Sequence, residues 1–139
     1  MGIDIGTKNV GIAISDELCM LAQGREVIKR RDDRSVICRI KEQKEEYDVR
    51  EIVVGFPINM NGSIGASGEK AQQFAELLKK EFKMEVILWD ERLTTREAES
   101  VMIEASMSRK KRKTKIDKMA AQLILQSYLD SLRVENDEV

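Results

Sequence analysis

The segment "MGIDIGTKNVGIAISD", residues 1–16, places one acid in an apolar run and follows it at once with a Gly–Thr–Lys turn. Its pattern predicts two short strands, Gly2–Ile5 and Val10–Ser15, joined by a tight turn around Thr7–Asn9. Asp4 would then lie near the carboxyl end of the first strand. The segment therefore raises the question of what a carboxylate does in a strand that is otherwise apolar.

The rest of the chain alternates strands and helices. Strands are predicted over Ala22–Lys29, Glu51–Phe56 and Glu85–Glu91. Helices are predicted over Asp33–Glu46, around Ala71–Phe82, from about Thr94 and over Thr114–Leu132. A loop rich in Gly, Asn and Ser is predicted over Pro57–Gly68. The order β-β-β-α-β-α-β-α-α predicts one α/β domain over residues 1–139. We expect a mixed sheet with antiparallel opening strands, parallel later strands and helices on both faces.

Composition excludes several classes of function. The chain of 139 residues contains no histidine, which removes Ser–His–Asp and Cys–His catalysis and zinc sites with imidazole ligands. No apolar run is long enough to span a membrane, and no signal peptide is evident, so a cytoplasmic protein is expected. Cys19 and Cys38 are predicted to be buried or half-buried thiols. Any catalysis must then come from carboxylates, cations, hydroxyls or a metal ion.

Acidic residues follow strands that should end at a common edge of the sheet. Asp4 lies near the end of the first strand, Asp90 and Glu91 end another, and Asp117 falls in the first turn of the last helix. A cluster of carboxylates needs a counter-ion, and hard oxygen ligands suit Mg²⁺ or Mn²⁺. Each acid also has a structural explanation: a turn for Asp4, a pair with Arg92 for Glu91, and a helix cap for Asp117.

The strongest concentration of positive charge is "RKKRKTKIDK", residues 109–118, with seven basic residues and one acid. The net charge of the chain is only −1, so attraction to a polyanion would have to be local. Such a run fits either a solvated loop or a contact with nucleic acid phosphates.

Four segments in order, "GIDIGTKNVGIAISD", "VGFPINMNG", "WDERLTTREA" and "KIDKMAAQLILQSYLD", make the chain resemble the YqgF/RuvX family nearly end to end. The resemblance implies the fold of RNase H and the RuvC-type resolvases. It also implies a metal-dependent nuclease that matures the 5′ end of 16S rRNA or, alternatively, resolves Holliday junctions in DNA. A catalytic and metal-binding set of Asp4, Glu91 and Asp117 around divalent metal is implied with it. Two such ions can activate a water and hold the leaving oxygen of a phosphodiester displacement.

The same resemblance implies that substrate is bordered by Lys8, Arg92 and the loop from Asn59 to Gly65, which includes Asn61. With the basic run, the predicted nucleic-acid contacts are Lys8, Asn59, Asn61, Arg92, Lys110, Lys111, Arg112 and Lys113. The expected partner is structured RNA or branched DNA, bound by a monomer or weak dimer.

Two other classes of protein fit parts of the sequence. A ribosome-assembly factor that binds RNA without cutting it could keep this fold. The opening "DIGTKNVGIAISD" also resembles the first phosphate loop of the actin and hexokinase superfamily, whose members close two domains over ATP. Those proteins need several hundred residues, whereas this chain has room for one domain.

Overall fold

The computed structural model describes residues 1–90 and 119–132. The strands are β1 Gly2–Ile5, β2 Asn9–Ser15, β3 Ala22–Lys29, β4 Ile52–Phe56 and β5 Val86–Asp90; the helices are α1 Asp33–Glu46 and α2 Ala66–Phe82. Residues 119–132 are helical as well and form the described part of α3. These elements lie within one or two residues of the predicted bounds, except that α2 begins at Ala66, inside the predicted loop.

The five strands form one mixed sheet in the order β3-β2-β1-β4-β5. β1 pairs antiparallel with β2 and parallel with β4, and β5 adds parallel to β4. The predicted fold class is therefore confirmed: antiparallel strands open the sheet and parallel strands complete it. The carboxyl ends of β1, β4 and β5 meet at one edge of the sheet, here called the carboxyl edge.

Helices cover both faces of the sheet. The α1/α2 face is a core of large aliphatic side chains, among them Ile3 and Ile12 of the sheet and Ile40, Phe74 and Leu78 of the helices, all essentially inaccessible. On the α3 face lies a second core, in which side chains of α3 pack against mostly small residues of the sheet. Its members include Ala13, Ala121, Ile124, Leu125 and Tyr128, with Ile87 and Trp89 packed against them.

Glycine at position 2 lets α3 lie close to the sheet. A Cβ atom on Gly2 would stand 2.7 Å from Leu125 Cβ and 2.9 Å from the carbonyl oxygen of Ala121, closer than such atoms approach in proteins. At the far end of the described helix, Tyr128 donates a hydrogen bond of 2.9 Å to Glu51 Oε1, just before β4 begins. α3 therefore runs from the level of Gly2 towards the amino ends of β1 and β4.

The prediction for the two cysteines was wrong, because both thiols are exposed. Cys19 lies in the β2–β3 turn, where its φ of 56° places it outside either strand. Cys38 lies on α1 next to the buried Ile37 but faces away from the core. Periodicity could have placed Cys38 correctly, since Val36, Ile37 and Ile40 already define the buried side of α1.

No helix within residues 1–90 and 119–132 has the length and apolar character needed to cross a membrane.

Candidate nuclease site at the carboxyl edge

Asp4 lies on the α3 face of the central strand. Its neighbours Ile3 and Ile5 pack against the α1/α2 core, whereas Gly2 faces α3. Successive residues of a strand point to opposite faces, so the Asp4 side chain shares the face of Gly2. The residue is half-buried. The sequence therefore places one carboxylate in the second core, one residue before the strand ends.

Asp4 is flanked by glycine on both neighbouring strands. Gly11 of β2 is its direct partner, and Gly55 of β4 comes one residue after Val54, the partner of Ile3. Trp89 of β5 pairs with Gly55 and completes this row across the sheet. We refer to Gly11, Asp4, Gly55 and Trp89 as the Asp4 row. No side chain stands beside the carboxylate on either adjoining strand of the row.

The β1–β2 turn that follows Asp4 is tight, and a hydrogen bond from the residue after β3 stabilises it. The Gly6 backbone N–H donates to the Asn9 carbonyl at 2.8 Å, and a Cβ on Gly6 would lie 2.6 Å from that oxygen. This close approach explains the glycine of the Gly–Thr–Lys turn. Lys8 is exposed in the turn, and its carbonyl accepts a hydrogen bond of 2.8 Å from the Arg30 backbone N–H.

The loop after β4 is folded by its own polar side chains. Asn61 Oδ1 accepts hydrogen bonds from the Ser63 N–H at 3.0 Å and the Ser63 hydroxyl at 2.6 Å. Asn59 Nδ2 donates to the Ser63 hydroxyl at 3.0 Å. Both amides thus shape a loop that leaves the carboxyl edge, the same edge at which Lys8 lies. Their contact with substrate stays a prediction.

Two aromatic residues anchor α3 beside the Asp4 row. Trp89 Nε1 donates to the Ser127 hydroxyl at 3.1 Å, and its ring meets that of Tyr128 edge to face, with 5.5 Å between centroids. Gln126 binds the β2–β3 turn through the Ala22 N–H and the Met20 carbonyl, each at 2.9 Å. The helix is thereby fixed to β5 on one side and to the β2–β3 turn on the other.

Several predicted site residues lie outside the described residues, namely Glu91, Arg92, Lys110, Lys111, Arg112, Lys113 and Asp117. Within residues 1–90 and 119–132, no group of three or more carboxylates and thiols could hold a metal ion. Of the predicted ligands, Asp4 alone belongs to that part of the chain.

The glycines of the Asp4 row were not among the predicted site residues. Gly11 and Gly55 are buried inside strands, where glycine often marks a close approach of another group. That signal was present in "VGIAIS" and "IVVGF". The pairing of the two glycines with the strand that bears Asp4 was not, because register across a sheet is set by tertiary structure.

The chain is similar over most of its length to two bacterial proteins. A protein of Geobacillus sp. (strain WCH70) is 56% identical over 133 residues, covering 94% of this chain and 96% of its own. A protein of Bacillus cytotoxicus is 54% identical over 133 residues, covering 94% of this chain and 97% of its own. Both carry the name "Putative pre-16S rRNA nuclease".

Solved structures of two resolvases share the fold. RuvC of T. thermophilus in complex with a Holliday junction substrate superposes with a TM-score of 0.56 at 15% identity, covering 94% of this chain and 93% of that one. The Fowlpox virus resolvase bound to Holliday junction DNA gives a TM-score of 0.56 at 15% identity, covering 94% and 96%. The sheet described above is therefore the RNase H-like fold of the RuvC-type resolvases.

The sequence pattern of the RuvX family, which is described as Holliday junction resolvase, matches residues 1–131. With relatives more than half identical over nearly the whole chain, the protein belongs to the RuvX family.

Proposed function

We propose that this protein is a metal-dependent nuclease that hydrolyses phosphodiester bonds and matures the 5′ end of 16S rRNA. The observation that carries the proposal is the Asp4 row: a half-buried carboxylate at the carboxyl edge, with glycine on both adjoining strands. The names of the relatives indicate the same activity and substrate. A cytoplasmic location would follow from that substrate.

Strand alternation favours Glu91 over Asp90 as the second ligand. Val86 and Leu88 of β5 pack against the α1/α2 core, and Ile87 and Trp89 against the α3 core. Asp90 continues the α1/α2 side of this alternation. One further step along an extended chain would give Glu91 the face of Trp89 and Asp4.

The direction of α3 supports Asp117 as the third ligand. The described helix passes Gly2 near Ala121 and Leu125 and continues away from Asp4. Asp117 precedes the described helix by two residues in the sequence, so a continuation of that helix would bring it towards the Asp4 end of β1. We propose that Asp4, Glu91 and Asp117 form one carboxylate cluster.

The donor chemistry of this cluster fits Mg²⁺ or Mn²⁺, because both ions prefer carboxylate oxygen and need no imidazole. Two such ions, when bound, supply an activated water and stabilise the leaving oxygen of an in-line displacement. The chain contributes the rest. β1, paired on both sides, fixes the backbone of Asp4, and the glycines of the Asp4 row place no side chain beside it on the adjoining strands.

Cations on several segments are proposed to hold the nucleic acid. Lys8 lies exposed in the turn that follows β1, and the loop with Asn59 and Asn61 leaves the same edge. We propose that Arg92 and the run Lys110–Lys113 bind the phosphate backbone on either side of the scissile bond. Each phosphate contact should contribute about 0.7–0.9 to the slope of log affinity against log salt concentration.

Holliday junction resolution is the second candidate, favoured by the description of the RuvX family. A resolvase must nick two strands symmetrically and would therefore act as a dimer. Solution mass, measured together with cleavage of a four-way DNA junction and of a pre-rRNA 5′ fragment, separates the two candidates. We expect a monomer or weak dimer that cuts the RNA fragment faster.

The proposed activity is tested by cleavage with and without divalent metal. Cleavage should require Mg²⁺ or Mn²⁺ and be lost in Asp4→Asn, since a neutral amide is a weaker metal ligand than a carboxylate. Glu91→Gln should also lose activity, whereas Asp90→Asn, its matched neighbour on the opposite face, should cleave normally. Full activity of Asp4→Asn, or full activity in chelator, would reject the metal-dependent mechanism.

A further inference from the structure

A groove on the α1/α2 face opens beside the turn that follows Asp4. It has a volume of about 380 Å³ and is lined by Arg30, the first turn of α1 and one side of α2. We call it the Arg30 groove; its polar lining residues are Arg30, Asp33, Lys70, Gln73, Glu76 and Lys80. Its volume lies within the range of about 300–1,000 Å³ that is typical of ligand sites.

Arg30 connects this groove to the carboxyl edge. Its guanidinium donates to the Gly6 carbonyl at 3.3 Å, two residues after Asp4. The same group pairs with Asp33 at 3.4 Å and lies over the ring of Phe74, 5.9 Å from its centroid. These contacts hold the arginine side chain in place, with only 18% of it exposed. The groove and the Asp4 row thus flank the β1–β2 turn on opposite faces of the sheet.

The charged side chains that line the groove are three cations, Arg30, Lys70 and Lys80, and two carboxylates, Asp33 and Glu76. Asp33 is paired with Arg30, and Glu76 is paired with Lys79 at 3.3 Å. Lys70 and Lys80 are exposed, and neither forms an ion pair within residues 1–90 and 119–132. Any anion that enters the groove therefore meets two lysines whose charge is not already compensated there.

The spacing of the two lysines selects the kind of anion. Ten residues of α-helix separate them, which corresponds to about 15 Å along the axis of α2. One phosphate cannot reach both. One strand of a duplex carries a charge about every 3.4 Å, so roughly four phosphates span the same length. An extended polyanion matches this spacing, and a small anion does not.

We propose that the Arg30 groove is a second backbone-binding site for the nucleic acid that is cut at the Asp4 row. A strand at Asp4 would pass over the β1–β2 turn, near Lys8 and Arg30, and continue along α2 past Lys70 and Lys80. Only the identity of the ligand rests on the proposed function. The groove binds the sugar–phosphate backbone of the strand outside the cleavage site and reads no base.

The test compares two double variants with the same change in charge. Lys70→Gln/Lys80→Gln alters the groove, and Lys41→Gln/Arg50→Gln alters two exposed cations that do not line it. Binding of a labelled stem-loop RNA with a single-stranded 5′ extension is measured by anisotropy in chelator over a range of salt concentrations. A four-way DNA junction of equal charge is measured in parallel, and the tighter-bound probe identifies the preferred backbone.

The groove variant should show a slope of log affinity against log salt that is shallower by about 1.4–1.8, for two lost contacts. The control variant should keep the slope of the unaltered protein. Equal slopes for both variants, or no binding of either probe by the unaltered protein, would overturn the proposal. If the groove variant has a shallower slope but the unaltered protein never cleaves, the groove proposal stands and the proposed nuclease activity is rejected. If the unaltered protein cleaves but both variants have equal slopes, only the groove proposal is rejected.

A measurement on the unaltered chain avoids any effect of substitution on folding. Bound RNA should slow acetylation of Lys70 and Lys80, detected by mass spectrometry, and leave that of Lys41 unchanged. If RNA changed the acetylation rate of none of the three lysines, the groove would not be a backbone-binding site.

Discussion

The two faces of the sheet carry side chains of different size. The α1/α2 face packs Ile, Val, Leu and Phe side chains that are almost wholly inaccessible. The α3 face carries Gly2, Gly11, Ala13 and Gly55 on its central strands, with Asp4 among them. Large side chains on one face provide most of the apolar burial, so the other face can give up side-chain volume to admit a helix and, as proposed, a substrate.

The largest expected effect on cleavage tests the proposed chemical role of the α3 face. Asp117→Asn should lower the cleavage rate by about 100-fold or more, equivalent to about 2.7 kcal/mol of barrier, because a metal ligand is lost. Stability should stay the same or rise, because crowded negative charge is relieved. Asp130→Asn, the same substitution within the described part of α3, is the matched control and should cleave normally.

A variant that melts lower yet cleaves normally would instead make Asp117 a helix cap. That role predicts a loss of about 1 kcal/mol or less, since asparagine keeps a side-chain oxygen able to accept the capping hydrogen bond. Melting curves and single-turnover rates on the same preparation decide between the two roles.

The next effect tests the α1/α2 face. Ile12→Ala removes a fully buried side chain from the aliphatic core and should cost about 2–5 kcal/mol in the free energy of unfolding. Ile12→Val should cost about 0.5–1.5 kcal/mol. Urea unfolding measures both. The cleavage rate of the folded fraction should be unchanged. If an Ile12 variant kept full stability but cleaved more slowly, the two faces would not have separate roles.

A third prediction concerns the close approach of α3 to β1. Gly2→Ala forces a Cβ against Leu125 and the Ala121 backbone and should cost about 1–3 kcal/mol. Because relief requires α3 to shift, the cleavage rate should fall as well. Gly65→Ala is the matched control: its nearest contact is the Asn59 side-chain amide at 3.3 Å, which can move. A loss for Gly65→Ala as large as that for Gly2→Ala would refute the packing argument.

The smallest effect concerns the aromatic anchor of α3. Trp89→Phe keeps an aromatic ring but removes the indole N–H that donates to Ser127 Oγ. The expected loss is about 0.5–1.5 kcal/mol, the usual net value of one hydrogen bond. Ser127→Ala removes the same bond from the other side. In thermal unfolding, the double variant should lose less than the sum of the two single losses; strict additivity would mean that the bond contributes nothing.

Within residues 1–90 and 119–132, the predicted strands and helices are close to the observed ones, and the predicted fold class is confirmed. α1 and β3 have the predicted bounds, because Val36, Ile37 and Ile40 recur at helical spacing and Ala22–Lys29 alternates. The predicted start of α2 was late, since Gly65 and Gly68 indicate a loop locally. In the fold, Gly68 lies inside the helix, where a Cβ would meet Ile64 and the Pro57 carbonyl at under 3 Å. Helix propensity depends on neighbouring residues in the sequence, so it could not predict a helical Gly68 packed against the preceding loop.

Asp4 could be proposed as a site residue from its position after an apolar run, and resemblance to a known family supplied Glu91 and Asp117 as its partners. The Arg30 groove could not be foreseen. Arg30, Lys70 and Lys80 come from distant parts of the chain and line one groove only because α1 and α2 cover the same face of the sheet. Charge composition gave no hint, since the net charge is −1.

By itself, the sequence determined the order of the strands and helices, the absence of histidine chemistry and the position of Asp4 near the end of β1. These properties follow from residue types and spacings along one strand or helix. Tertiary structure alone decided that Gly11 and Gly55 flank Asp4, that α3 approaches the sheet at Gly2, and that the Arg30 groove adjoins the β1–β2 turn. Each of these depends on register and packing between elements, which are set by burial over the whole sheet.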